Sequence, residues 1–154
     1  YSIAMTINEL KENERLNLQY KILATDIDTE EIERAEKGFY PFDRAAGIKN
    51  SNYLKKYFDK KKDGYTVKQL LKKNIFFRYV NLINDYPFNK LFDIIFCRNV
   101  LIYFDKKTQE NVLNRLYTRL KPGGYLLVGH SESITGLNTR FKYIKPAVYK
   151  KAEN

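Results

Sequence analysis

The spacing of apolar positions changes several times along the chain, and each change marks an element. In residues 2–16, Ile3, Ala4, Ile7 and Leu10 recur at rough helical spacing, which predicts the end of an amphipathic helix. Tyr20–Ala24 is a short apolar run that ends in Thr25-Asp26-Ile27-Asp28, so it reads as a buried strand followed by an acidic turn. Thr29 is placed to cap a helix through Lys37 that stops at Gly38. Residues 39–74 lose this rhythm. They are rich in Lys, Tyr and Asn, and Pro41 and Gly47 interrupt them. Asn52–Phe58 reads as a short helix there and Gly64–Val67 as a short strand or turn, which suggests a small subdomain or insertion over 38–75. Ile75–Asn81 is aromatic and β-branched, hence a strand.

The second half is more regular. Phe92–Cys97 (FDIIFC) is a continuous apolar strand of the kind covered on both faces in a parallel sheet. Asp105 or Thr108 opens a helix that puts Val112, Leu113, Leu116 and Leu120 on one face, and Pro122-Gly123-Gly124 ends it. Tyr125–Gly129 is a further buried strand. Phe141–Ile144 and Ala147–Tyr149 flank Pro146 as a terminal hairpin. Strands alternating with helices predict an α/β fold with a mostly parallel sheet.

Composition narrows the class. A chain of 154 residues with 44% hydrophobic and 30% charged residues reads as one soluble domain. No apolar run approaches the ~20 residues of a membrane span, so no membrane insertion is expected. The single cysteine, Cys97, forms no internal disulfide and agrees with a reducing, cytoplasmic setting. The net charge of +10 is concentrated: residues 49–78 hold ten Lys/Arg against Asp59 and Asp63, and net +8. Such a patch either attracts an acidic partner or is a solvated lysine-rich face.

Ligands of open α/β sheets sit beyond the carboxyl ends of the strands, and three strand ends here are polar: Thr25–Asp28, Asn81 and Arg98-Asn99. All three are expected around one cleft. A carboxylate after a strand suits the vicinal diol of a ribose because both oxygens accept; Asp26 and Asp28 also suit plain helix capping. Arg98 and Asn99 are suited to hold a cofactor's amino-acid portion, with Tyr103 lining a reaction site. The competing reading has Arg98 paired with an acid and Tyr103 in the core. His130 is the sole histidine, and Ser131 and Ser133 near it lack the G-x-S-x-G context of a hydrolase nucleophile. Cys97 reads as a packing residue. No CxxC, HExxH or phosphate-loop sequence occurs, so metal chemistry is not expected.

FDIIFCRNVLIYFD at 92–105, with ATDID at 24–28, LKPGGYLLVGHSES at 120–133 and Ala147-Val148-Tyr149, resembles the CheR-type chemotaxis receptor methyltransferases. The resemblance runs in order over nearly the whole chain and is weakest over 40–74. It implies a class I S-adenosylmethionine-dependent (Rossmann-like) methyltransferase fold acting on glutamate side chains in the receptor's cytoplasmic region. By the family pattern Asp26 holds the ribose, Asn81 and Leu82 lie along the adenine, Arg98 and Asn99 close the cofactor site, and Arg98 and Tyr103 stand nearest the transferred methyl. In the family, YSIAM follows a Gly-Glu-Glu-Pro segment of the first cofactor loop, whereas this sequence begins at Tyr1. The implied sheet is therefore truncated at its central first strand, to be filled by a complementing N-terminal segment or a dimer. Two rival functions remain: a nucleic-acid methyltransferase using the basic patch, disfavoured because Arg98-Asn99-Val100-Leu101 does not match Asn-Pro-Pro-Tyr, and a non-catalytic receptor-binding module.

Overall fold

Helical spacing near the start is realised as α1 (Ser2–Asn13), which buries Ala4 and Met5. The computed structural model describes residues 1–48 and 51–153, so Lys49 of the basic segment lies outside the described residues. They fall into two units, Tyr1–Val80 and Asn81–Asn154.

In the first unit, β1 (Ile22–Asp26) runs parallel to β5 (Ile75–Tyr79), with Asp26 opposite Tyr79. The helix between them in sequence, α2 (Thr29–Lys37), starts one residue earlier than a Thr29 cap would place it. Asp28 is the cap: it is extended and its Oδ1 accepts the Glu30 N–H at 2.8 Å, while Thr29 is already helical. Gly38 ends the helix in the left-handed region at φ 61°. The Lys72 ammonium donates to the last carbonyls, Glu36 at 3.0 Å and Lys37 at 2.7 Å, where the helix dipole favours a cation.

Next come β2 (Phe39–Pro41), α3 (Phe42–Ala45), α4 (Ser51–Tyr57), β3 (Phe58–Lys61), β4 (Gly64–Val67) and α5 (Gln69–Lys72). The three strands form an antiparallel sheet in the order β2-β4-β3. Two of them escape sequence reading for a physical reason. In β3 only Phe58 is buried while Asp59, Lys60 and Lys61 are exposed, so no apolar alternation exists to detect. β2 is three residues long and ends in proline, at an edge where a missing N–H costs nothing. The unit's core joins α1 to these elements through Tyr57, Phe58, Val67, Leu71 and Ile75. At its margin the Lys56 ammonium sits 2.6 Å from both Glu9 and Glu12, tying α4 to α1.

In the second unit, β6 (Phe92–Cys97) runs parallel to β7 (Leu120–Val128) and is connected to it through α6 (Lys106–Arg119). Asp105 caps α6 by accepting the Thr108 N–H at 2.8 Å. Val112, Leu113 and Leu116 are buried as their spacing predicts. Leu120, expected on the helix, instead opens β7, and Pro122-Gly123-Gly124 lies inside that strand rather than ending α6. The register shifts there opposite Phe92 and Ile94, Gly123 takes φ 74°, and a Cβ on Gly124 would come 3.0 Å from the Asp93 carbonyl oxygen. Two glycines thus allow a bulge with close backbone approach. The hairpin of β8 (Lys142–Lys145) and β9 (Val148–Lys150) completes the order β6-β7-β9-β8.

Two expectations need correction. Parallel pairing is confined to β1–β5 and β6–β7, while the other ladders are antiparallel; short turns, which can join only antiparallel neighbours, link β3 to β4 and β8 to β9. And β6 is not covered on both faces: Ile94 and Phe96, alternating with the better-covered Ile95 and Cys97, are 50% and 43% exposed. Among the described residues β1 pairs only with β5, and β6 only with β7, so each has one unpaired edge.

Candidate functional site

The polar residues proposed from the sequence fall in both units. Asp26 belongs to the first; Asn81, Leu82, Arg98, Asn99 and Tyr103 belong to the second.

Asp26 is the last residue of β1, and its carbonyl accepts the Val80 N–H at 3.0 Å, which extends the β5 pairing by one residue. Its Oδ1 accepts the Asp28 N–H at 3.0 Å. That bond shapes the turn so that Asp28 can cap α2. The two acids divide the work: Asp28 is the cap, and Asp26 keeps an exposed carboxylate with Oδ2 unengaged by any described residue. A shallow cavity of about 230 Å³ adjoins it, bordered by Thr25, Ile32, Ala35 and Phe77. An unengaged carboxylate oxygen beside an apolar wall suits a hydroxyl-bearing ligand.

In the second unit, Asn81 folds its own turn, its Oδ1 accepting the Ile83 N–H at 3.0 Å. Its amide NH₂ is left to donate, and Leu82 beside it is half-buried. Arg98 and Asn99 follow directly on β6. Asn99 takes φ 57°, the left-handed region that asparagine tolerates better than most residues. The chain then turns into a 3₁₀ segment, Leu101–Tyr103. Leu101 is buried beneath it, while Tyr103 stands 79% exposed. The Arg98 guanidinium is exposed and makes no hydrogen bond or ion pair with a described residue. Among the described residues both structural alternatives therefore fail: Arg98 has no acid partner, and Tyr103 is not core.

Sequence reasoning missed Glu132, which holds this loop. It is the buried charged side chain among the described residues, at 7% exposure. Its Oε1 accepts the N–H groups of Val100 and Leu101, both at 2.9 Å. Its Oε2 accepts those of Asn99 at 2.8 Å and Gly129 at 2.6 Å. Burial works to raise its pKa, but the four backbone donors together outweigh burial and hold the carboxyl below the ordinary glutamate value. From the other side, Gln109 on α6 donates to the carbonyls of Leu101 and Phe104 at 3.0 and 2.9 Å. Glu132 stands four residues past the end of β7, and only the fold shows that it turns back onto Asn99–Leu101.

The remaining reactive groups are accounted for. Burial, with the Glu132 charge adding to it, pushes the Cys97 thiol up to about 12, as suits a packing residue. His130 and Ser131 are exposed with no hydrogen bond between them, and the Ser133 hydroxyl accepts the Thr135 N–H at 3.2 Å. A second cavity, about 300 Å³, lies at the amino end of β6 around Asp93 and Lys121, at the far end of the strand from Arg98.

Residues 1–150 match the family described as CheR methyltransferase, SAM binding domain. A chemotaxis protein methyltransferase of Borreliella burgdorferi is 47% identical over 154 residues, covering 98% of this chain and 53% of the relative. Chemotaxis protein methyltransferase Cher2 of Pseudomonas putida is 36% identical, covering 94% of this chain and 54% of the relative. The chain thus spans about half the length of the curated relatives it matches. Among solved structures, the N-methyltransferase NodS of Bradyrhizobium japonicum superposes with a TM-score of 0.50 at 15% identity, covering 86% of this chain and 74% of that one, a likeness of fold alone.

Proposed function

Because the chain belongs to the CheR methyltransferase family, we propose that the protein methylates glutamate side-chain carboxylates of chemotaxis receptors, using S-adenosylmethionine. The observation that carries this reading is an exposed Arg98 guanidinium, unpaired among the described residues, and an exposed Tyr103, both on a loop held from both sides at the carboxyl end of a parallel strand. An unpaired guanidinium at the carboxyl end of a strand suits the recognition of a carboxylate.

Each residue that the family pattern implies carries a group whose chemistry suits one part of the cofactor. Asp26 offers acceptor oxygen to the ribose hydroxyls, Asn81 an amide beside apolar Leu82 for the adenine, and Arg98 and Asn99 polar groups for the amino-acid end. When bound, S-adenosylmethionine supplies a methyl already activated on a sulfonium. Arg98 orients the receptor's glutamate by a charge-assisted hydrogen bond, and Tyr103 lines its approach. A glutamate carboxylate is ionised at neutral pH, so it needs no general base. That agrees with a site where the thiol of Cys97 is inert and His130 is turned to solvent. The protein's contribution is orientation and exclusion of water, which in favourable cases lowers a barrier by roughly 7–11 kcal/mol.

Residues 38–75 form, in this reading, a small inserted subdomain whose exposed Lys60, Lys61 and Lys62 meet an acidic receptor surface. The reaction belongs in the cytoplasm, where the receptor's signalling region lies. The unpaired edges of β1 and β6 support the expectation that a further strand, from another segment or a second copy, completes the pairing. Calorimetric titration of the natural full-length protein with S-adenosylmethionine, against its Asp26→Ala variant, tests the site. Loss of a charged acceptor, worth ~1.5–3 kcal/mol, predicts an affinity about 10–100-fold lower. Equal affinity in the two proteins would remove Asp26 from the site.

A further inference from the structure

Three successive backbone N–H groups, those of Asn99, Val100 and Leu101, point at one carboxylate, and a fourth from Gly129 joins them. Backbone donors so gathered form an anion-binding concavity of the kind that elsewhere receives a phosphate. Here the anion is the chain's own Glu132, whose two oxygens accept two N–H groups each. The strap carrying it is short and closed on itself, since the Glu132 N–H donates to the Gly129 carbonyl at 3.0 Å. Gly129 has no side chain, and the place a Cβ would take is 2.6 Å from Glu132 Oε2. The end of β7 and the loop after β6 are thereby fastened to each other at one point.

We propose that Glu132 is a positioning residue for methyl transfer: its carboxylate sets the backbone of Asn99–Leu101, and that backbone places Arg98 on one side and Tyr103 on the other. Three features support it. Asn99 is in the left-handed region, an uncommon conformation for a residue with a side chain, and it persists where neighbouring structure imposes it. The bonds run to backbone, so they specify the path of the loop and not one side chain. The side chains of Arg98 and Tyr103 are exposed and make no hydrogen bond or ion pair with a described residue, which leaves their placement to the loop. The depressed pKa of the carboxyl agrees with an anion held by donors.

The proposal rests on Arg98 and Tyr103 being site residues, and its test separates the two ideas. Glu132→Gln keeps the shape but leaves one acceptor oxygen, and turns an NH₂ group toward backbone N–H groups that need an acceptor. Amide hydrogen exchange by NMR, on the full natural protein, reads the clamp without reference to activity. In the wild type the amides of Asn99, Val100, Leu101 and Gly129 should be protected like those of β7, despite three of them lying in a loop. In Glu132→Gln the same amides should exchange at least about 10-fold faster, with those of Leu126 and Tyr149 unchanged. Receptor methylation should fall about 100-fold in kcat, as a displacement near 1 Å can cause, with a smaller change in KM for the receptor. Loop-like exchange at Asn99–Leu101 in the wild type overturns the proposal, and this arm holds even if the variant fails to fold. Faster local exchange with undiminished kcat overturns it as well. A wild type with the protected amides but no affinity for S-adenosylmethionine would instead refute the reading of the site and leave a purely structural clamp, which also overturns the positioning role.

Discussion

Gly129→Ala should destabilise the second unit by crowding Asn99 and Glu132 at one point. The backbone of Gly129 is outside the left-handed region, so alanine itself is conformationally acceptable there. The difficulty is space. The new Cβ would lie 2.6 Å from Glu132 Oε2, closer still to the Asn99 side-chain oxygen, and 3.2 Å from the Asn99 nitrogen, where ordinary contact begins at 3.4 Å. Relieving the first contact moves the carboxylate by most of an ångström. Its bonds from Gly129 and Asn99, now 2.6 and 2.8 Å, would then stretch past the normal range. Overpacking of this kind costs about 1–3 kcal/mol, and weakening charge-assisted bonds that are each worth ~1.5–3 kcal/mol adds to it. Replacing glycine also restricts the unfolded chain, which returns ~0.4–1 kcal/mol. The net expectation is a loss of about 2–3 kcal/mol from a domain of ~5–15 kcal/mol. With a urea dependence of ~1–3 kcal/mol per molar, the unfolding midpoint should drop by roughly 1–2 M. Urea titration followed by circular dichroism measures it. An unchanged midpoint would mean that Glu132 accommodates a methyl group at no cost, and the tight clamp would be wrong.

Asp28→Ala should cost about 0.5–2 kcal/mol through loss of the α2 cap, read from the midpoint of the first unit's unfolding; no loss would mean that the Glu30 N–H finds water equally good. For pH, the sign follows from Glu132: its folded pKa is depressed, so it contributes stability above its ordinary value of about 4.5 that is lost as pH falls through the lower folded value. Urea midpoints taken downward from pH 6 should therefore decline less steeply in Glu132→Gln than in the wild type, and parallel declines would contradict the assignment. Reversing Lys60, Lys61 and Lys62 to Glu should slow association with receptor, most strongly at low salt, in stopped-flow measurements; salt-independent, unchanged rates would leave the patch as solvated surface.

Local chemistry was legible in the sequence wherever one residue type answers one local need. The run FDIIFC marks β6 to the residue, Gly38 marks the end of α2, and an aspartate opens α6. Each depends on neighbours in the chain: apolar continuity, freedom at positive φ, an acceptor ahead of a helix. The family was legible for a related reason, because CRNVLIYF and GHSES are long enough to be specific without any structure. Reading failed where a pairing partner decides the conformation. β3 carries charged residues and is a strand because β4 lies alongside it. Leu120 fits the apolar face of α6 by spacing, yet pairing with Phe92 draws it into β7. Glu132 shows the same limit at the site. Nothing near it in sequence distinguishes it from a solvated acid, since its partners at Asn99–Leu101 are more than thirty residues away. The sequence by itself determined which polar residues follow the strands: acids after β1, an amide after β5, and an arginine with an asparagine after β6. Only the tertiary structure decided that Arg98 and Tyr103 stand free on a loop fastened by a buried carboxylate, because backbone N–H groups carry no identity in a sequence and acquire a partner only when the chain folds back on them.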